Sequence, residues 1–208
     1  MGKRLIHPVS DNKDKQRTYT ENMAKYKKAI AGEFFFEAML IDYAMLEDRL
    51  RSFLYYIGLL KSRDSYKADN AVVVSKIRPI IAAYKRKDES DSVGITNISG
   101  KMKIVRCTLL WAANTEGTSG DPYLTALKCQ YEGALDIEDV LDKLNEIVKW
   151  CAYRNEVIHA LLNKNTGSLM QDLPQQARRG MELARFMDDQ VKKLKKGNVI
   201  RRRLKLPF

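Results

Sequence analysis

Cysteine and histidine are both scarce in this sequence. Its 208 residues include three cysteines, Cys107, Cys129 and Cys151, and two histidines, His7 and His159. The cysteines are odd in number, far apart and without a Cys-x-x-Cys pair, so neither a disulfide framework nor a zinc site is indicated. We expect reduced cysteines that serve in packing, and we predict no metal ion and no cofactor.

Long hydrophobic runs are also missing. No window approaches the ~18 uninterrupted apolar residues that a membrane span requires, and the first twenty residues lack the apolar stretch of a secretory signal. Glycine and proline number only 11 and 5, whereas 45% of the residues are hydrophobic and 30% are charged. This composition is typical of a folded helical protein. We therefore expect a cytoplasmic protein with no membrane partner.

Positive charge is concentrated at the two ends of the chain, whose net charge is +11. Residues 1–28 hold eight Lys or Arg against three acids, and residues 192–208 hold eight against none. The residues between them hold 21 basic and 23 acidic side chains. The C-terminal cations can bind phosphate backbones through counterion release, or they can be solvated residues that aid solubility. The predicted RNA-binding residues are Lys192, Lys193, Lys195, Lys196, Arg201, Arg202 and Arg203.

Apolar residues recur at three- and four-residue spacings along most of the chain, which predicts an all-α fold. We expect a bundle of four to five main helices with basic terminal tails. The predicted domain covers residues 20–197, between a mobile basic arm (1–19) and a basic C-terminal tail (198–208). The predicted helices span residues 21–60, 70–87, 136–163 and 174–196, with a short helix over 101–113 and another over 121–133. The apolar spacing of the first helix predicts a buried stripe, which comprises Phe35, Met39, Tyr43, Leu46, Leu50, Phe53, Leu54, Ile57 and Leu60.

Glycine and proline predict where these helices break. Gly32 is expected to interrupt the first helix near its start, and Pro79 to end or kink the second. Gly167 is expected to follow the end of the helix that covers residues 136–163.

The helix predicted over residues 136–163 contains the sequence Arg154-Asn155-Glu156-Val157-Ile158-His159. Arg154 and Asn155 interrupt its apolar stripe, and polar groups on a buried face are costly unless they are paired or hydrated. Arg154 and His159 are separated by roughly 140° of rotation and about 7.5 Å of rise. Side chains placed in this way flank a patch without touching. A symmetric dimer would double each group and build a compact site from two such helices.

The pattern of Arg154, the polar Asn155 and His159 near the end of a long helix resembles the signature of the HEPN superfamily. The run Glu47-Asp48-Arg49-Leu50-Arg51 is similar, more weakly, to the opening helix of that family. Active HEPN proteins are metal-independent endoribonucleases in which the motifs of two protomers meet at a dimer interface. The resemblance thus implies a helical bundle, a homodimer, an RNA substrate and the catalytic residues Arg154, Asn155 and His159.

These residue types suit RNA cleavage by acid–base chemistry. The ribose 2′-OH attacks the adjacent phosphate when a base takes its proton, and an acid protonates the leaving 5′-oxygen. His159 can transfer protons near neutral pH, and Arg154 can donate to phosphate oxygens. Asn155 can orient either group or hold the phosphate. The expected products carry 2′,3′-cyclic phosphate and 5′-OH ends, and the two His159 side chains of a dimer would share the acid and base roles.

Other interpretations of the same residues remain open. His159 can be an ordinary semi-buried residue with a hydrogen-bonded neighbour, and Arg154 can form a salt bridge. Trp150 and Tyr153 can stack an RNA base or pack in the core or an interface. At the level of the protein, the alternatives to a ribonuclease with a toxin or anti-phage role are an inactive HEPN-like RNA-binding or scaffold protein and an unrelated helical adaptor. If the protein is a ribonuclease with a toxin or anti-phage role, an antitoxin or a defence complex would be a further partner.

Overall fold

The computed structural model describes residues 12–63, 65, 67–117, 119–163, 167–197 and 199–205, without the side chains of residues 12, 161–163, 167–169 and 199. The predicted all-α class is confirmed, but the described residues form eight helices where four to five were expected. These helices are α1 (Asn12–Ala31), α2 (Phe35–Tyr56), α3 (Ala71–Tyr84), α4 (Ile98–Asn114), α5 (Pro122–Ala134), α6 (Ile137–Asn163), α7 (Gly167–Gly197) and α8 (Val199–Arg203).

The single helix predicted over residues 21–60 is wrong, because the chain turns between α1 and α2. The break lies close to Gly32, as predicted, but the residue with positive φ is Glu33, at 59°. The amide of Phe34 donates to the carbonyl of Ala29 at 2.8 Å, and the amide of Gly32 donates to Lys28 at 2.9 Å. These bonds satisfy carbonyls at the end of α1 and release the chain into α2.

Helix α2 is the central helix of the bundle, and it packs most extensively on α7. The predicted stripe on α2 is buried at Met39, Leu46, Leu50, Phe53 and Leu54. Close approach of α7 requires a glycine at position 180. A Cβ there would lie 2.5 Å from a ring carbon of Trp150 and 2.6 Å from a carboxylate oxygen of Asp42.

Polar side chains fix the starts of three further helices. Asn70, Asn97 and Asp121 each accept a backbone amide of the first turn that follows them, and Pro122 occupies the first position of α5. Of the two outcomes expected at Pro79, an end of the helix is wrong, because α3 continues to Tyr84. The carbonyl of Ser75 has no helical donor, because Pro79 lacks a backbone N–H. Both residues are exposed, so water can hydrate this carbonyl.

The two ends of the chain are more structured than expected. Residues 12–19 of the predicted arm belong to α1, while residues 1–11 lie outside the described residues. Gly167 follows the end of α6 at Asn163, as expected, but it is also the first residue of α7, which begins seven residues before the predicted start at Pro174. Residues 199–203 of the predicted tail form α8, and residues 198 and 206–208 are not described. In the part of the chain that the structure describes, no helix has the length and apolar character needed to cross a membrane.

Candidate active site on helix α6

Helix α6 carries the predicted motif and begins within one residue of its predicted start. The side chain of Asp136 accepts the amide of Asp139 at 3.1 Å and so fixes the first turn. Farther along, the helix is anchored by Trp150, which is buried and donates its indole N–H to the carbonyl of Gln176 at 2.8 Å. Of the two interpretations of Trp150, core packing is therefore correct. Leu161 and Leu162 of the predicted stripe have side chains outside the described ones.

Arg154 is held against the side of α2. Its guanidinium carbon lies 4.3 Å from the centre of the Tyr43 ring, and its Nη1 donates to Oδ1 of Asn155 at 3.1 Å. Its Nε is buried and has no hydrogen-bond partner among the described residues. Stacking and the bond to Asn155 restrict the orientation of the planar donor group. Asn155 thus holds the guanidinium of Arg154, and its role in catalysis stays a prediction.

Asn155 and His159 lie on the solvent-facing side of α6. Both are exposed, whereas Val157 and Ala160 on the same turns are buried. The expectation that Asn155 interrupts the buried stripe is therefore wrong, and only Arg154 approaches it. Since Asn155 and His159 are four residues apart, they occupy neighbouring turns of one helix face. Solvent can reach the imidazole and the amide together.

An uncharged line of side chains leads to His159 along the outer face of α6. Its members fall within about 80° of one another by helical spacing, and none is buried. They are Leu141, Asn145, Val148, Ala152, Asn155 and His159. We call this set the α6 line. Charged residues such as Lys149 and Glu156 flank it.

Burial raises the pKa of two groups near Arg154 further above neutral pH. It raises the pKa of the Cys151 thiol to about 11, against the opposing charge of Arg154. It also raises the pKa of Tyr43, with Glu47 adding to the effect and Arg154 opposing it. Both groups are therefore protonated at neutral pH, and Cys151 is unsuited to act as a nucleophile.

The contact of Arg154 with Tyr43 was not predicted from the sequence. The apolar spacing placed Tyr43 on the buried stripe of α2, but the structure leaves it half-buried with Arg154 over its ring. Its position at the edge of that stripe was the available signal. Tyr153 is also half-buried.

The predicted RNA-binding residues fall into two groups. Six of them are exposed, and these are Lys192, Lys193, Lys195, Lys196, Arg202 and Arg203. Arg201 is instead fully buried. It donates to the carbonyls of Tyr55, Leu60 and Lys61 at 2.8–2.9 Å. The expectation of an exposed Arg201 is wrong, because this guanidinium satisfies carbonyls around the C-terminal end of α2.

Comparison with known proteins assigns this chain to no family. No protein-family model, curated protein or solved structure matches it. Within the described ranges, no group of three or more His, Cys, Asp or Glu side chains could hold a metal ion. The groups available for chemistry on α6 are therefore an imidazole, a held guanidinium and an amide.

Proposed function

We propose that this protein is a metal-independent endoribonuclease of the HEPN type that cleaves single-stranded RNA. The observation that carries the proposal is the arrangement of Arg154, stacked on Tyr43 and bonded to Asn155, with the exposed His159 one turn beyond Asn155 on the same helix. A role as a toxin or in anti-phage defence follows from the family resemblance alone.

The cleavage chemistry assigns one task to each group. A neutral His159 removes the proton from the ribose 2′-OH, whose oxygen attacks the adjacent phosphorus. A protonated His159 of a second protomer gives a proton to the 5′-oxygen as the P–O bond breaks. Arg154 donates to the phosphate oxygens as charge develops in the transition state. The products are a 2′,3′-cyclic phosphate and a 5′-OH end.

The α6 line supports a homodimer as the active form. Two copies that pack along this line would bury mainly small, apolar and amide side chains, so few charges would have to be desolvated. A twofold axis along it would bring both His159 side chains to one interface. The second protomer would then supply the proton-transfer group that one α6 lacks.

The direct test is cleavage of end-labelled single-stranded RNA in excess EDTA. We expect the wild type to cut, and His159→Ala and Arg154→Ala each to lose at least about 100-fold in rate. Lys149→Ala is the matched control, because it removes an exposed cation from the same helix without touching the motif. Circular dichroism should show all four proteins folded.

The RNA itself provides a second control. A strand with 2′-deoxyribose at the cleaved position should resist cutting, because the nucleophile is then absent. Mass spectrometry of the cleaved RNA should find cyclic phosphate ends. An inert wild type would exclude the enzyme and favour an inactive RNA-binding protein. A His159→Ala variant that cuts as fast as the wild type would exclude His159 as a catalytic residue and refute the proposed mechanism.

A further inference from the structure

A strongly basic cavity lies where α1, α2 and α7 meet, away from the residues proposed for catalysis. A space of about 540 Å³ adjoins a second of about 230 Å³, and the two share wall residues on α1 and α2. We call them together the basic cavity. Its cationic wall residues are Lys15, Arg49, Arg51, Arg63, Lys192 and Lys195. A volume of this size suits a small ligand or part of a larger one.

Salt bridges join the three helices at the wall of this cavity. Asp48 accepts from Lys15 at 3.1 Å and from Arg49 at 2.5 Å. Asp188 accepts from Arg49 at 2.6 Å and from Lys192 at 2.7 Å. The chain of contacts holds the cations in place, so a ligand would meet a largely preformed site.

Cations outnumber carboxylates along this wall. Among the wall residues that the structure describes, the four cations Lys15, Arg49, Lys192 and Lys195 share two carboxylates, Asp48 and Asp188. Lys192 also reaches the more exposed Asp189 at 3.1 Å. Arg51 and Arg63 have other partners, since they donate to the Ser65 carbonyl and the Tyr56 hydroxyl. The remaining excess of positive charge would be neutralised by an anion.

Burial adds to this preference for an anion. It lowers the pKa of Lys15, even though Asp48 opposes the effect. The Nε of Arg49 is buried and has no hydrogen-bond partner within the described part of the chain. An anionic ligand would stabilise both cations.

Aromatic rings line the same walls. Arg49 lies 5.5 Å from the centre of the Tyr19 ring, and Tyr56 also faces the cavity. Guanidinium groups suit phosphate oxygens, and aromatic faces suit nucleic-acid bases. We propose that the basic cavity binds the phosphate and base of a nucleotide, either within single-stranded RNA or as a free nucleotide.

Helix α2 carries residues of the basic cavity and also Tyr43, the ring on which Arg154 stacks. A third space, of about 450 Å³, shares Ala44, Asp48 and Arg51 with the basic cavity and also borders Glu47. Tyr43, which stacks on Arg154, precedes Glu47 by one turn. From Tyr43 to Tyr56 the helix extends about 20 Å. An RNA strand along α2 would place one phosphate near Arg154 and others in the cavity. The cavity proposal rests on the proposed function only where it chooses RNA as the source of the phosphate and base.

Two pairs of lysines on α7 allow a matched test. Lys192 and Lys195 line the cavity, whereas Lys193 and Lys196 are equally exposed on the same turns but lie about 100° farther around the helix. All binding measurements would use the 208-residue chain with His159→Ala, so that the RNA is not cleaved while it is bound. Either K192Q/K195Q or K193Q/K196Q would be added to this variant, and each pair removes two positive charges. Binding of a fluorescent single-stranded RNA would be followed by anisotropy, and binding of AMP by calorimetry.

We expect K192Q/K195Q to weaken RNA binding by about tenfold and to reduce the slope of log K against log salt by about 1.4, as loss of two phosphate contacts requires. The sequence alone predicted RNA binding by Lys193 and Lys196 as well, but neither residue lines the cavity, so K193Q/K196Q should change affinity less than threefold. Equal losses in both pairs, or no loss in the first, would overturn the proposal. Measurable AMP binding that competes with RNA identifies a free nucleotide as a ligand, and RNA binding alone identifies the strand. A protein that binds in this way but never cuts would refute the proposed function and leave the cavity assignment standing.

Discussion

The α6 line and the basic cavity differ most in charge. The α6 line contains no charged side chain, whereas the cavity is lined by six cations. An uncharged helix face can be covered by a second copy of the protein at little desolvation cost, but a cationic cavity cannot. The contrast favours a division in which one surface forms the dimer and holds the chemistry, while the other holds the RNA.

Asp42 lies where α2 meets α6 and α7, and its buried carboxyl group provides a test of that packing. It is fully buried on α2, beside Gly180 of α7 and Trp150 of α6. Neither carboxylate oxygen has a hydrogen-bond partner among the described residues. Burial raises the pKa of Asp42 to about 8, with Arg185 opposing the shift.

The largest expected effect is the pH dependence of stability that Asp42 causes. The unfolded chain loses this proton near pH 4, but the folded protein keeps it until about pH 8. The proton on Asp42 therefore contributes fully to the free energy of unfolding below pH 4. Between pH 4 and pH 8 this contribution falls by up to about 1.4 kcal/mol per pH unit, so the folded protein becomes less stable as the pH rises. Asp42→Asn should flatten the curve of unfolding free energy against pH, measured by urea denaturation from pH 4.5 to 8. Parallel curves for the two proteins would contradict this account.

The next effect separates two adjacent arginines. Arg201 is buried against backbone carbonyls and lies 3.5 Å from the centre of the Tyr55 ring, whereas Arg202 is exposed. Arg201→Gln should lower the free energy of unfolding by about 3 kcal/mol, because carbonyls at the end of α2 lose their donors. Arg202→Gln should change it by less than about 0.5 kcal/mol.

The same pair of variants also bears on the cavity. Tyr55 packs edge-on against Tyr56, their ring centres 5.2 Å apart, and Tyr56 lines the basic cavity. Arg201→Gln should therefore weaken RNA binding at a temperature where the variant is still folded. Equal stability of the two variants in denaturant titrations would refute the structural role of Arg201.

A smaller effect tests the α6 line as a dimer interface. Ala152→Arg places a charge in the middle of the line and should weaken dimerisation at least tenfold, about 1.4 kcal/mol. Ala82→Arg makes the same change at an exposed position on α3 and is the control. Sedimentation velocity over a range of concentrations measures both. If Ala152→Arg dimerises like Ala82→Arg, the α6 line is not the interface.

The sequence predicted the candidate active site better than it predicted the cavity, for a geometric reason. Arg154, Asn155 and His159 belong to one helix, so their relative positions follow from helical spacing. Lys15, Arg49 and Lys192 come from three helices and meet only through the packing of α1 and α7 on α2. No local pattern indicates such a meeting. Tyr43 was missed as a partner of Arg154 for the same reason.

Charge alone also failed to distinguish surface from interior. Arg201 belongs to a basic run with Arg202 and Arg203 and was predicted to be exposed with them. Its burial depends on the position of α8 against the end of α2, where the carbonyls of Tyr55 and Leu60 need donors. The break between α1 and α2 lies near the position predicted from Gly32. The residue with positive φ at this break is Glu33 and not the glycine.

The most direct test of a division between chemistry and binding is single-turnover RNA cleavage measured over a range of protein concentrations. His159→Ala should lower the maximal rate by at least about 100-fold, with RNA affinity by anisotropy unchanged. K192Q/K195Q should raise the half-saturating protein concentration by about tenfold and leave the maximal rate within about twofold. If K192Q/K195Q lowered the maximal rate as His159→Ala does, or if His159→Ala abolished RNA binding, the two regions would not have separate roles.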